Sequence, residues 1–230
     1  MSLTGIFNSH LIMAAAVARF GTEEQKRKFL PKFASGEVRG GLALTEPDCG
    51  TDLSAVRTRA LKRGDHYVVN GTKTWISNGI QGSAFAVLVR TDPDAHPARK
   101  GLSMFVMEKG PGFKPSRKLE KLGYKGIDSA ELVFEDFKVP AANLIGEEGQ
   151  GFYLAVSGLE LGRINVAARG VGIAKSALDE AVRIHGGYGY SKEFPVERLY
   201  RDAPLLCIGE GTNEMQRIII ARQLVERNPV

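Results

Sequence analysis

The sequence predicts an α+β multidomain fold. A short helical segment occupies 1–38, a central antiparallel β sandwich or barrel 39–145, and a C-terminal helical bundle 146–230. Three observations carry this. Apolar residues recur at helical spacing at both ends of the chain. Short β-branched and aromatic runs fill the middle, separated by turns. The change of period falls near Arg39 and again near Gly146. Helices, then strands, then helices argue for segregated domains and against an alternating α/β sheet.

Each element has its own warrant. Within 5–20, Ile6, Leu11, Ile12, Ala15, Val17 and Phe20 predict a helix with a broad apolar face, ended by Gly21. Thr22 and Gln25 form a capping-box pair ahead of Phe29, Leu30 and Phe33, and Gly36 closes that second helix. Strands are predicted at 41–45, 55–62, 65–70, 72–77, 83–90, 101–108, 112–120 and 129–138. Asn70-Gly71 lies between two of these runs and predicts a hairpin turn. After the glycine-rich stretch 146–151, a helix is expected over 152–182. Its Leu154, Leu159, Leu161, Ile164, Val166, Val171, Ile173 and Leu178 leave little polar surface and place it inside a bundle. The run Gly186-Gly187-Tyr188-Gly189-Tyr190 breaks the pattern, and helices follow at 195–202 and 213–226.

The bulk numbers narrow the function. The chain has 230 residues, enough for one large domain or two small ones. Its net charge of +5 is mildly basic, without a block of like charge or a nucleic-acid motif, which argues against DNA or RNA as a partner. Cys49 and Cys207 lie far apart and lack metal-ligand spacing, which fits a reducing compartment. Neither a secretory signal nor an apolar run of bilayer length is present. A bacterial cytoplasmic location is expected, with the mitochondrial matrix as the other candidate. His10, His66 and His96 are scattered, so no metal site is expected. Glu147-Glu148 is read as a solvated turn.

Glu210 is the foremost catalytic candidate. It lies between Gly209 and Gly211, directly after the apolar run Pro204-Leu205-Leu206-Cys207-Ile208. Flanking glycines allow close approach of backbone to a ligand. Removal of water from a carboxylate makes it a stronger base toward a carbon acid. The plainer reading is a helix entry with Thr212 as N-cap. Two further segments stand out. Leu42 to Asp52 runs from a strand into a glycine loop whose N–H groups suit an oxyanion or phosphate. Trp75, the only tryptophan, ends a strand and either stacks on a planar ring or plugs the core.

Together these segments resemble the acyl-CoA dehydrogenases. The resemblance is carried by Thr45-Glu46-Pro47 with Gly50-Thr51-Asp52, by Asn70-Gly71-Thr72-Lys73 leading into Trp75-Ile76-Ser77-Asn78-Gly79, and by Val133-Phe134-Glu135-Asp136 before Val139-Pro140. It continues in order through Gly149-Gln150-Gly151-Phe152, Arg163, Gly186-Gly187-Tyr188-Gly189, Arg201-Asp202-Ala203 and Glu210-Gly211-Thr212, and so spans nearly the whole chain. It implies a helical N-terminal domain, of which 1–38 is a remnant, a β domain, a four-helix bundle, FAD as cofactor and usually a homotetramer.

The resemblance also implies roles. Leu42, Ala43, Leu44, Thr45, Gly50 and Thr51 would line the flavin ring and phosphates, with the Thr45 hydroxyl near the reactive edge. Trp75, Ile76 and Ser77 would cover the other side. Arg183, Ile184, His185, Gly186 and Gly187 would contact the FAD of a neighbouring subunit, and Thr212, Asn213 and Glu214 would help hold FAD. Thr51, Glu160, Leu161, Gly162, Arg163 and Gly211 would meet the acyl-CoA. Glu210 would be the base that removes the α-proton. The implied reaction is α,β-dehydrogenation of an acyl-CoA thioester, with electrons passed to an electron-transfer flavoprotein. An acyl-CoA oxidase or related flavin oxidase is a second reading, a non-catalytic CoA-binding scaffold a third, and an unrelated interaction module the weakest. One departure is large. Val182 runs straight into Arg183, where the family pattern has roughly two long helices, so an interruption is expected near 182–183.

Overall fold

The structure is a computed structural model that describes residues 2–176, 178–209 and 211–227. Two compact units emerge. One holds residues 1–121 and 125–161, the other 122–124 and 162–230.

In the first unit, helix α1 (Ser2–Phe20) precedes α2 (Glu23–Ser35). The capping box forms as expected: the Thr22 hydroxyl accepts from the Gln25 N–H and the Gln25 side chain accepts from the Thr22 N–H. Gln25 does more than cap. Its Nε2 donates to the carbonyls of Ala142 and Leu144, both at 2.7 Å, and so ties α2 to the far end of the β region. Gly36 ends α2 in the left-handed conformation at φ 77°. The buried face of α1 differs from the one expected. Asn8, Ile12, Met13, Ala16 and Val17 are buried, whereas Leu11 and Phe20 are exposed. The i, i+4 pairs 8/12/16 and 13/17 form the stripe, and the Ile6 side chain lies outside the described residues.

One eight-stranded sheet follows: β1 (Gly40–Ala43), β2 (Arg59–Arg63), β3 (His66–Ser77), β4 (Ala84–Arg90), β5 (Leu102–Glu108), β6 (Phe113–Lys118), β7 (Ser129–Pro140) and β8 (Leu144–Ile145). Its order is β6-β7-β3-β2-β4-β5-β8, with β1 added beside β4. Most pairs are antiparallel, as expected. The β1–β4 pair is parallel, and a single parallel pairing, Arg59 with Arg90, joins β2 to β4.

Strands β4 and β5 are buried on both faces, which explains their continuous apolar runs. Ala84, Ala86, Leu88, Leu102, Met104 and Val106 face one core with Met13, Val17, Phe29, Phe33 and Leu154. Phe85, Val87, Val89, Phe105 and Met107 face a second core with Tyr67, Phe113, Phe134 and Val139. Stacked rings of Phe113 and Phe134, 4.4 Å apart, and the edge contact of Tyr67 with Phe105 fill this second core. The sheet therefore folds over on itself.

The hairpin predicted at Asn70-Gly71 is not there. Strand β3 passes straight through it, and the reversal occurs at Gly64-Asp65, where Arg63 pairs with His66. Asn70 instead answers a bulge in β7. Its side chain bonds the Asp136 carboxylate at 3.0 Å and accepts from the Asp136 N–H at 2.9 Å, while Asp136 takes φ 47°. Gly71 takes φ 147°, and a Cβ there would fall 2.7 Å from the Thr58 Cα. Both dipeptides are competent two-residue turns, and tertiary pairing with β7 selects the other one.

The second unit is helical. It takes the C-terminal part of α3 (Gly151–Ser176), α4 (Leu178–His185), α5 (Gly187–Tyr190), α6 (Val196–Asp202) and α7 (Asn213–Arg227). The single helix expected over 152–182 is thus α3 plus part of α4, and α4 runs through Val182 and Arg183. Ala177 lies outside the described residues. Segment 122–124 is anchored here. Asp202, 4 % exposed, accepts from the Tyr124 N–H at 2.7 Å, and Arg169 donates to the Tyr124 hydroxyl at 3.0 Å. The interior position expected for the long helix is not met at its middle, where Ile164 is 70 % exposed. Ile184, Tyr188, Tyr190, Tyr200, Ile208 and Ile218 are exposed as well.

Gly71→Ala is expected to lower stability by more than about 1 kcal/mol, because both the φ angle and the approach to Thr58 exclude a side chain. Urea denaturation of the variant beside the parent checks this.

Candidate functional site

In the first unit, β1 leads into a loop that packs on β3. The Thr74 N–H donates to the Thr45 carbonyl at 2.8 Å, so the segments of Leu42–Thr45 and Trp75–Ser77 lie side by side. On the other side of β1, the Leu42 N–H donates to the Ser9 hydroxyl at 3.0 Å. The loop then closes on itself. Glu46 and Cys49 exchange backbone hydrogen bonds of 2.8 and 3.1 Å. Asp52 Oδ1 accepts from the Ser54 N–H and hydroxyl and caps the turn Leu53–Ala55. Arg90 holds that turn from below, donating to the carbonyls of Ser54 and Val56 at 2.6 and 2.9 Å.

Beneath the loop sits an ion pair. Lys73 Nζ lies 2.7 Å from Glu46 Oε1, with the lysine side chain 0 % and the glutamate 6 % exposed. Lys73 Nζ also donates to the Leu44 carbonyl at 2.9 Å. Glu46 accepts two backbone N–H groups, from Arg57 at 2.7 Å and from Thr58 at 3.0 Å. Burial pulls the Lys73 ammonium down to about 8 against the opposing charge and hydrogen bond of Glu46. Burial pushes Glu46 up, but Lys73, Thr58 and the Arg57 amide outweigh it and hold the carboxyl below its ordinary value. Burial, and then the charge of Glu46, push the Cys49 thiol up, and its Sγ donates to the Asp52 carbonyl at 3.0 Å.

Trp75 owes its position to a second irregularity in β3. Lys73 pairs with Leu132 and Ile76 with Ala130, so β3 carries one extra residue against β7. Simple alternation from Tyr67 and Val69 through Lys73 would turn Trp75 inward. The bulge changes the parity: Thr74 and Ile76 are buried, Trp75 takes φ 61°, and its side chain is 58 % exposed. The core-plug reading of Trp75 therefore fails. A tryptophan held at positive φ is strained, and a large exposed apolar ring is suited to a planar partner.

The predicted site residues thus fall into two groups, one in each unit. Leu42, Ala43, Leu44, Thr45, Gly50, Thr51, Trp75, Ile76 and Ser77 all belong to the first unit. The side chains of Ala43, Leu44 and Ile76 are buried in its cores. Gly50 and Thr51 are exposed. Glu160 and Leu161 are the last residues of this unit, on α3.

In the second unit, Arg183, Ile184 and His185 are exposed on the last turn of α4, and Gly186 makes the turn into α5 at φ 55°. The His185 ring lies 5.3 Å from that of Phe194. Gly162 is buried on α3, and Arg163 Nε is buried without a hydrogen-bond partner among the described residues. Gly211 takes φ 104°. Thr212 caps α7, accepting from the Met215 N–H at 3.4 Å, and Asn213 and Glu214 open that helix. The Glu214 carboxyl is held below its ordinary value by its own N–H and the Thr212 hydroxyl. Glu210, the predicted base, lies outside the described residues. No group of His, Cys, Asp and Glu able to hold a metal occurs among the described residues, nor does a helix long and apolar enough to cross a membrane.

Sequence reasoning gave Glu46 and Lys73 no role. A signal existed: lysine on the inward parity of a strand that carries Tyr67 and Val69 requires an anion.

Comparison with known proteins decides the family. The chain is 34% identical over 303 aligned positions to the acryloyl-CoA reductase (NADH) of Anaerotignum propionicum, covering 99% of this chain and 76% of the relative. It belongs to the acyl-CoA dehydrogenase family. Family models match at 1–37 (Acyl-CoA dehydrogenase, N-terminal domain), 41–137 (middle domain) and 177–225 (C-terminal domain). An acyl-CoA dehydrogenase of Bacillus subtilis is 36% identical, covering 90% of this chain and 73% of the relative. The structure of butyryl-CoA dehydrogenase from Megasphaera elsdenii superposes with a TM-score of 0.91 at 32% identity, covering 96% of this chain and 78% of that one. The acyl-CoA dehydrogenase family consists of FAD-dependent oxidoreductases, and this chain is of that class. The alignment with the reductase runs over 303 positions against the 230 residues here, so the relative carries sequence that this chain lacks.

The stability that Glu46 supplies is fully present above pH 4.5, its ordinary value, and is lost as pH falls through its lower folded value. Urea denaturation along an acid series is expected to show a steeper fall below pH 4.5 in the parent than in Glu46→Gln.

Proposed function

We propose that this chain oxidises an acyl-CoA thioester to the trans-2-enoyl-CoA with FAD as acceptor, Glu210 removing the α-proton. One observation carries the reading: the Thr45 segment and the strained, exposed Trp75 are held side by side by the Thr74–Thr45 hydrogen bond. That pairing of a hydroxyl-bearing loop with an outward indole fits a planar ring.

Leu42 to Thr45, Gly50 and Thr51 would hold the ring and phosphates of FAD together with Trp75 to Ser77. FAD supplies hydride acceptance from the β-carbon. The rest belongs to the protein. Pro204, Leu205 and Ile208 ahead of Glu210 are exposed, so the expected shielding by the run 204–208 is not met there. Bound acyl-CoA and flavin would have to exclude water from the base, and that desolvation would strengthen it toward a weak carbon acid. The Glu210 N–H donates to the thioester carbonyl and stabilises the charge that develops there. Arg163, whose buried Nε finds no acceptor among the described residues, supports the loop around Glu210. Glu160 to Arg163, Thr51 and Gly211 meet the acyl-CoA. Arg183 to Gly187 and Thr212 to Glu214 hold FAD in a homotetramer, and electrons leave to an electron-transfer flavoprotein. The functional division follows 1–38, 39–145 and 146–230.

A second reading has its own support. The shortfall against the 303-position alignment and the exposed apolar residues of the second unit favour a scaffold that binds acyl-CoA without turnover. One experiment separates the two. Anaerobic mixing of FAD-loaded protein with acyl-CoAs of differing length is expected to bleach the flavin in the parent. Glu210→Gln is expected to keep binding and lose most bleaching. Equal bleaching in the variant removes Glu210 from the chemistry. No bleaching in the parent with any acyl-CoA favours the scaffold, and peroxide formed in air identifies an oxidase.

A further inference from the structure

The Glu46 and Lys73 side chains are buried, 6 % and 0 % exposed, yet their contacts reach both segments just assigned to the flavin. Lys73 Nζ holds the Leu44 carbonyl at 2.9 Å, one residue before Thr45. Lys73 itself opens the bulge whose next member but one is Trp75. Glu46 follows Thr45 directly and is fixed by the Arg57 and Thr58 N–H groups. Thr58 carries the backbone on, its carbonyl accepting from the Arg90 N–H at 2.7 Å.

We propose that Glu46 and Lys73 are positioning residues, whose buried ion pair clamps the Leu44–Glu46 backbone to the β3 bulge and so sets the spacing of Thr45 from the Trp75 indole. Three features support a positioning role over a purely stabilising one. A buried ion pair contributes little net stability compared with an apolar pair of similar volume. The Lys73 ammonium divides its donors between a carboxylate and a backbone carbonyl, which fixes both partners in direction. The register of β3 against β7 breaks between Lys73 and Ile76, the stretch that carries Trp75, and a strained bulge needs an external tie to persist. The inference rests on the FAD reading for its purpose, but the clamp itself does not require FAD.

The clamp predicts its own chemistry. The charged groups facing Lys73 are Glu46 and, more distantly, the Cys49 thiol, with Asp52 and Arg90 around that thiol. With the Lys73 ammonium held at about 8, its charge disappears well before that of an ordinary lysine. The tie to the Glu46 carboxylate then loosens while the fold persists.

Trp75 is the only tryptophan, so its fluorescence reports the bulge directly in protein free of flavin. The double variant Glu46→Gln/Lys73→Met is compared with the parent and with Val139→Ala, a cavity in the second core where β7 pairs with Tyr67, six residues along β3 from Lys73. Emission and acrylamide quenching of Trp75 are measured without FAD, and FAD affinity by titration. The double variant is expected to shift the Trp75 signal and weaken FAD on the order of tenfold. Val139→Ala is expected to lose thermal stability with both readouts unchanged. Parent-like Trp75 quenching and FAD affinity in the double variant overturn the clamp.

Should the double variant fail to fold, the parent alone decides. Its flavin-free Trp75 signal is expected to change as Lys73 loses its charge, from about pH 8 upward, and a signal that stays flat up to the pH at which the protein unfolds overturns the clamp. A parent that never binds FAD while the Trp75 signal still shifts refutes the FAD reading and leaves the clamp intact.

Discussion

A lysine with no exposed side-chain surface requires an anion, and the position of Lys73 makes Glu46 that anion. Most of the geometry around the proposed site follows from this requirement. Glu46 can reach Lys73 only if the loop after β1 folds down onto β3. Once there, its remaining oxygen capacity is met by the amides of Arg57 and Thr58, which brings in the start of β2. Removing one partner would strand a buried charge, at a cost of about 3–5 kcal/mol. The loop therefore has few alternatives. Its direction is specified by an interaction whose net contribution to stability is small, a division of labour seen when buried polar groups select one arrangement among many.

The two cores set the platform for this loop. Strands β4 and β5 are covered on one side by α1, α2 and the beginning of α3, and on the other by the folded-over part of the sheet. A strand buried on both faces has no freedom to slip, because a one-residue shift would exchange the two sets of side chains between differently shaped cores. Strand β1 pairs with β4 in register from Gly40 to Ala43. The entry to the loop thus inherits the fixed register of the best-packed strand in the molecule. Strands β3 and β7 are irregular where they pair with each other, and Trp75 and Asp136 take positive φ there.

Much of this was legible in the sequence, for identifiable reasons. The Thr22–Gln25 cap and the Gly36 stop are local chemistry, and local chemistry survives folding. The runs at 83–90 and 101–108 read as strands because burial on both faces leaves them uniformly apolar. The Asn70-Gly71 hairpin failed because two turn-competent dipeptides lie six residues apart and only the partner strand chooses between them. The outward face of Trp75 was not legible from strand alternation, since a bulge inserts one residue and inverts the parity on which inside and outside are judged; only the family resemblance implied it. Glu46 and Lys73 appeared in motif strings without a role. Their meaning depends on a contact across 27 residues that no periodicity reveals. The face of α1 was misjudged by one helical position, enough to expose Leu11 and bury Met13.

The helical unit obeys a different balance. Its tyrosines and isoleucines at 164, 184, 188, 190, 208 and 218 are exposed, whereas a folded domain ordinarily disperses such residues. One relative aligns over 303 positions against the 230 residues here, so it carries sequence that this chain lacks. Helices pack by burying an apolar stripe against a neighbour. When sequence that supplies neighbours is absent, the stripes of those that remain stay uncovered, whatever their own propensity. In the first unit Phe7, Leu11 and Phe20 of α1 are exposed as well, but every strand of the sheet finds a partner within 40–145. The groups proposed for the flavin face thus belong to the part of the chain whose sheet is complete. The segment around Glu210 belongs to the other unit, so the proposed binding and turnover would draw on units of unequal completeness.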